Sequence, residues 1–368
     1  MKLRAIGLVL ALTACGRKDV EPPAIDACLA KADALADADR GVARALCSEL
    51  KAHDVPGASV AIAIDGAIAL QFASGLRCRG REGDVAIDTR FRIGSITKAI
   101  TAAAAHAKLG DLDRPLDGGL ATLVGATPTM RQLLDHTAGL PDVLPSEAMR
   151  GLPHAEQLRI LVGTPERAGT WRYANGGYAL VGAWLEAETR TRWQELVDDT
   201  VLRPLHMQHA RASVPPRPGD DVACGHLDGV AYDVATDWDR FAFGVEAAAP
   251  AGAILASAED LVHFAIALSD HPPADAPAWT RTMLAAVRGT KVETGRRSGE
   301  RYASGIVVET LPSGETLLRH SGQTGDFAAE LAWVPERGLA VAILSNNGAP
   351  LRATLAAGLQ RGGITHHF

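Results

Sequence analysis

The chain has 368 residues, which at roughly 100–200 residues per domain predicts one large domain or two interwoven ones and excludes a small stapled scaffold. Apolar residues supply 47% and charged ones 22%, with 37 Gly and 20 Pro, so neither global disorder nor a low-complexity array fits. The 37 basic and 43 acidic side chains leave a formal charge of −6, and no Lys/Arg cluster offers the footprint that a nucleic-acid partner needs.

Taken in chain order, Met1 to Ala14 reads as a secretory signal. Lys2 and Arg4 precede an apolar run, Ala5 to Ala14, that is too short to span a bilayer. The run ends in Leu12-Thr13-Ala14-Cys15, which resembles a bacterial lipobox. That resemblance implies cleavage before Cys15, acylation of its thiol and a mature chain tethered to a membrane by lipid, with Gly16 to Glu21 as the start of a polar tether. Gly16 after the cysteine implies the outer membrane of the cell envelope, facing the periplasm. Cys28, Cys47, Cys78 and Cys224 show no CxxC spacing and no histidine pairing of the kind that holds zinc. A secreted chain is permitted disulfides without requiring them. Cys28 and Cys47 can bond only if the chain turns between them, for instance near Gly41, because a continuous helix would hold them about 30 Å apart.

Val42, Leu46 and Leu50 mark the apolar face of an N-terminal helix. Ala58 to Ile64 and Ala67 to Phe72 are strand-length runs joined by Asp65-Gly66, a pair suited to the positive φ of a type I′ hairpin. Ile96 to Leu109 is rich in Ala and ends at Gly110, so it predicts a helix with a glycine stop signal. From about Asp111 to Val245 helix-like segments dominate: Met130 to Asp135, Tyr178 to Thr189 and Trp193 to Leu202. Ile306 to Thr310, Thr316 to His320, Ala328 to Val334 and Leu339 to Leu344 then read as strands, and Leu351 to Leu359 as a closing helix. Strands at both ends around a helical middle predict an α/β class: an antiparallel sheet flanked by N- and C-terminal helices, with an all-α region inserted.

Three short segments carry chemistry. Ser95 and Lys98, in Ser95-Ile96-Thr97-Lys98, are three residues apart on one helical face, so hydroxyl and amine can touch. The first helical turn also favours developing negative charge. Tyr173-Ala174-Asn175, in a loop before a helix, adds a phenol and a carboxamide. His320-Ser321-Gly322 ends a predicted strand, where a glycine lets substrate backbone approach.

In this order the three segments resemble the SxxK, YxN and K/HxG elements of the serine beta-lactamase and penicillin-recognising family. Phe91-Arg92-Ile93-Gly94, Leu133 to Pro141, Gly176-Gly177-Tyr178, Ala251-Gly252, Ser257 to Leu261 and Trp333 to Glu336 also look like family segments, giving coverage from about Ala45 to Leu359. The family includes class C beta-lactamases, DD-peptidases, D-aminopeptidases and beta-lactamase-like esterases, so the fold alone does not fix the substrate. The resemblance implies a division into residues 1–14 (signal), 15–25 (tether) and 26–368 (catalytic region). Within the last, 26–90 and 246–368 would form the α/β part and 91–245 the α-rich part. It implies Ser95 as nucleophile, Lys98 and Tyr173 as proton-transfer partners, Asn175 on the substrate amide, His320, Ser321 and Gly322 along the substrate, and the N–H groups of Ser95 and Gln323 as the oxyanion hole. No cofactor and no metal are expected. The partners are a small-molecule or peptide substrate and, through Cys15, a membrane. His320 stands where beta-lactamases usually carry Lys, a pattern closer to DD-peptidases, D-aminopeptidases and esterases; a beta-lactamase or a non-turnover penicillin-binding sensor are the alternatives. His136, His206 before Met207 and His226 in Cys224-Gly225-His226 read as structural histidines, and His366-His367 as a tail without a ligand set.

Overall fold

A computed structural model describes residues 25–212, 221–234, 236–237 and 245–366. The signal, Cys15 and the start of the tether lie outside the described residues. No described helix is long and apolar enough to cross a membrane.

The fold is mixed α/β around a seven-stranded sheet in the spatial order Ala67–Gly75, Gly57–Ile64, Leu339–Ser345, Ala328–Val334, Thr316–Gln323, Ile306–Thr310, Arg301–Ala303. All strand pairs in it are antiparallel. Asp65 and Gly66 take φ of 53° and 76°, the paired positive values that a type I′ turn demands. The period of two then sorts side chains between faces. Val60, Ile62, Val341 and Ile343 pack with the helices Ile25–Asp33, Asp37–Ala52 and Arg352–Arg361, whereas Ala61, Ala63, Ala340 and Ala342 face the larger helical core. Small residues on that second face let helices come close. Glu49 joins the two ends of the chain, accepting from Ala353 N at 2.9 Å, Thr354 N at 2.8 Å and Thr354 Oγ1 at 2.6 Å, so that a carboxylate satisfies the open N-terminus of the last helix.

Several elements differ from the sequence expectation. The Ala-rich helix is Thr97–Lys108, preceded by a 3₁₀ turn Gly94–Ile96. It stops at Leu109 in extended backbone, and Gly110 does not adopt positive φ, so no left-handed glycine ends it. The helix expected from Tyr178 begins at Asn175, and the Trp193 helix changes to π geometry over Asp198–Leu202. Strand Arg301–Ala303 and the hairpin Gly225–Leu227/Val230–Tyr232 were too short to stand out by periodicity.

Two disulfides form. Cys28–Cys47 spans a Cα separation of 5.7 Å and Cys78–Cys224 one of 5.0 Å. The reversal that brings Cys28 to Cys47 lies between Asp33 and Asp37, not at Gly41, which sits inside the second helix. His206 takes φ of 56°, in the left-handed region that glycine adopts most easily, and pairs with Asp275 at 2.7 Å. His226 is buried, accepts from Arg79 N at 3.1 Å and contacts the Asn346 carbonyl at 2.7 Å. His366 lies 3.5 Å from Glu309 instead of trailing as a bare tail, while His367 is outside the described residues.

Candidate active site

The helix Thr97–Lys108 runs through the interior, with Thr97 to Ala105 all buried. Its alanines make that placement possible. A Cβ on Gly305 would lie 2.5 Å from Ala99 N, and Thr101 Oγ1 donates to Pro250 O at 2.8 Å. The N-terminal end of this rod presents Ser95, half-buried, at the floor of a cleft of about 410 Å³.

Lys98 is fully buried and within hydrogen-bond reach of three groups: Asn175 Oδ1 and Ala251 O, both at 2.8 Å, and Ser95 Oγ at 3.1 Å. Burial lowers its pKa to about 7, although the charge of Asp142 acts in the opposite direction. A neutral amine has two protons and one lone pair. The two protons suit the two carbonyl oxygens, which leaves the lone pair for the Ser95 hydroxyl. Tyr173 Oη stands 2.7 Å from Ser95 Oγ, and the Lys98 ammonium position lies 4.8 Å from the Tyr173 ring centre. Burial raises the Tyr173 pKa, opposed by the Ser95 hydrogen bond. Near neutral pH the phenol therefore keeps its proton and the amine can lose one.

The Tyr173 loop is fixed from behind by the His136 segment. His136 O accepts from Arg172 N at 2.8 Å, His136 Nδ1 accepts from Ala174 N at 3.3 Å, and the imidazole packs 4.6 Å from the Tyr173 ring. His136 itself has φ of 57°, and its buried Nε2 has no hydrogen-bond partner among the described residues, so within them it is not a fully satisfied structural histidine. Burial, with Lys98 and His320 nearby, keeps it well below the usual imidazole range.

Strand Thr316–Gln323 closes the other wall. A Cβ on Gly322 would fall 1.9 Å from Ile93 O and 3.2 Å from Ser95 N, and one on Gly94 would fall 2.9 Å from Gln323 N. These two backbone contacts bring the Ser95 and Gln323 nitrogens to one end of the cleft, and the Gln323 side chain is tied away by Nε2 donating to Gly348 O at 2.7 Å. His320 is buried, with Nδ1 2.6 Å from Ser321 O and Nε2 3.4 Å from Tyr302 Oη. Burial lowers its pKa to about 3, helped by Lys98. It is a neutral imidazole behind the wall and does not line the cleft. Arg296, stacked 4.6 Å over Trp171, adds positive field on this side.

The chain matches the Beta-lactamase family over residues 42–361. It belongs to that family. Penicillin-binding protein 4 of Amycolatopsis lactamdurans is 28% identical over 320 residues, covering 80% of this chain and 82% of the relative. A beta-lactamase of Pseudomonas fluorescens is 27% identical over 339 residues, covering 82% and 91%. The solved structure of SurE with D-Leu is 28% identical with a TM-score of 0.72, covering 92% of this chain and 77% of that one.

The fold gathers Ser95, Lys98, Tyr173 and Asn175, 78 and 77 residues apart in sequence, and sets Gly322 and Gln323 beside them. Asp142 escaped the sequence reading. It lines the cleft, and its Oδ1 accepts from Asn175 Nδ2 at 2.9 Å and Asn175 N at 3.2 Å. The available signal was its place directly after the family-like segment Leu133 to Pro141. Among the described residues, no group of three or more His, Cys, Asp or Glu side chains could hold a metal ion.

Proposed function

We propose that the protein is a serine hydrolase that works through an acyl-enzyme on Ser95, acting on small amide or ester substrates of the D-amino-acid peptide or esterase type. The observation that carries this is the buried Lys98, shifted to about 7 and 3.1 Å from Ser95 Oγ. Ser95 attacks a carbonyl while neutral Lys98 takes its proton, so the alkoxide never forms free in water. The tetrahedral oxygen rests on the N–H groups of Ser95 and Gln323, donors of the kind typically worth about 3–4 kcal/mol. Tyr173, protonated and 2.7 Å from Ser95 Oγ, gives its proton to the leaving nitrogen or oxygen and is reprotonated from Lys98. A water then attacks the acyl carbon by the same route in reverse, and Ser95 leaves with its proton restored. SurE, solved with D-Leu, supports a D-amino-acid substrate, and the beta-lactamase of P. fluorescens supports the alternative.

His320, neutral and buried behind the wall, puts no permanent cation where beta-lactamases usually carry Lys, so the cleft has no added positive field for a carboxylate, and this favours the peptidase or esterase reading. Catalytic efficiency on short acyl esters or D-amino-acid peptides is expected to exceed that on a chromogenic cephalosporin, and His320→Lys to narrow the gap. Measured at one pH and salt concentration, a hundredfold cephalosporin preference in the wild type would promote the beta-lactamase reading instead.

We also propose that Cys15 carries a lipid that holds the enzyme in the cell envelope, on the resemblance of Leu12 to Cys15 to a lipobox. Cys15→Ala should move the protein from the detergent to the aqueous phase; equal partitioning of both forms into water would rule the anchor out.

A further inference from the structure

Among the described residues that line the cleft, Asp142 alone has a charged side chain. The rest of that wall is apolar or neutral, including Leu144, Pro145, Val245, Ala248 and Ala253. The carboxylate is exposed. Its Oδ1 is occupied by the two Asn175 donors, and Oδ2 has no hydrogen-bond partner among the described residues. The Asn175 side chain is in turn fixed, because its Oδ1 accepts from Lys98 Nζ at 2.8 Å. Asp142 thus stands two hydrogen bonds from the group that serves the nucleophile, on the Asn175 side of Ser95. When Lys98 is neutral, as the base must be, no positive side chain in the described cleft lining balances this charge, and His320 supplies none.

We propose that Asp142 is a specificity residue that selects acyl donors carrying a protonated amine on or near the α-carbon of the acyl group, such as α-amino amides, peptides with a free N-terminus and aminoacyl esters. The ammonium donates to Oδ2 while the carbonyl lies over Ser95, and the apolar wall takes the side chain. N-acylated and anionic acyl groups lose this contact, and anionic ones meet like charge. The proposal rests on the serine hydrolase reading and deepens it.

The test compares alanyl and lactoyl p-nitroanilides, in both enantiomers, which differ only in an amine or a hydroxyl at the α-carbon. At pH 7 the amine is mostly protonated, since the reference value is about 7.7–8.0. The wild type should favour the alanyl substrate in kcat/KM by about tenfold or more, because charge-assisted hydrogen bonds are roughly twice as strong as neutral ones. Asp142→Asn, whose amide oxygen can still accept from Asn175, should bring the ratio to within about twofold of unity, Asp142→Glu should keep it, and Asp142→Lys should reverse it. The ratio is the readout, so a general loss of rate does not mimic the effect. If turnover of the anilides is too slow, alaninamide and lactamide are compared as inhibitors of p-nitrophenyl butyrate hydrolysis, with the same expected ratio. A wild-type ratio at or below one, or an unchanged ratio in Asp142→Asn, overturns the proposal. Hydrolysis of the butyrate ester and fluorophosphonate labelling of Ser95 would persist in that case; their loss in the wild type would instead refute the hydrolase reading.

Discussion

Lys98→Met is expected to lower kcat/KM for an activated ester by about a thousandfold or more and, at the same time, to make the protein more stable. The first effect follows from general-base catalysis, which contributes roughly 10²–10⁴-fold. The second follows from linkage. The folded pKa of Lys98 is about 7 against an ordinary value of 10.5, so between these pH values the unfolded chain binds more protons than the folded one. Wild-type stability therefore rises with pH across that window, and the cost of burying the amine is greatest at and below its lower end. Methionine fills similar space without that cost but leaves Asn175 Oδ1 and Ala251 O without the amine as donor, so the expected net gain is about 1–2 kcal/mol at pH 7 and is lost toward pH 10. In the wild type kcat/KM should rise with pH to a plateau with a midpoint near 7, reporting the free enzyme's base. His320, lowered to about 3, should add no second inflection near neutrality. Denaturant melts and pH-rate profiles check both parts. A destabilised Lys98→Met, or a flat profile from pH 5 to 9, would contradict the assignment of Lys98 as a neutral base.

Gly322→Val is expected to remove nearly as much activity by a purely steric route. The added Cβ meets Ile93 O at 1.9 Å and Ser95 N at 3.2 Å, and both are backbone, which cannot rotate away. Strand Thr316–Gln323 must shift from the Gly94–Ile96 turn, separating the two N–H groups proposed to hold the oxyanion. The expected losses are about 10²–10³-fold in kcat and about 1–3 kcal/mol of stability from overpacking. Gly41→Ala is the control, since nothing lies within 4 Å of its Cβ position in helix Asp37–Ala52. It should stabilise by about 0.5–1 kcal/mol and leave turnover alone. Full activity in Gly322→Val would mean that the strand does not need its close contact with the nucleophile turn.

Some of this was readable along the chain. Asp65-Gly66 between two apolar runs specified the first hairpin, because few residues other than such pairs accept two successive positive φ values. The buried strands Ala328–Val334 and Leu339–Ser345 were visible as apolar runs, the second unbroken to Leu344 and the first interrupted only by Glu330. Ser95 and Lys98 share a helical face and so could be paired from spacing alone. Tyr173 could not, since only the fold carries it to Ser95, and the family resemblance stood in for that knowledge. The Cys78–Cys224 link, 146 residues apart, had no local signature. Asp142 is an exposed carboxylate in a loop, ordinary in sequence, and acquires meaning only where Asn175 and the cleft surround it. The lysine shift is likewise invisible to sequence, because it comes from burial of the Thr97–Ala105 stretch of that helix.

The measurement that bears most directly on the central claim is intact-protein and peptide mass spectrometry after treatment with a fluorophosphonate or a penicillin. Wild-type protein should gain one adduct, located on Ser95, at a rate that rises with pH through about 7 in step with Lys98. Ser95→Ala should gain none and should lose ester turnover. An adduct on any other serine, or unchanged turnover in Ser95→Ala, would contradict the account.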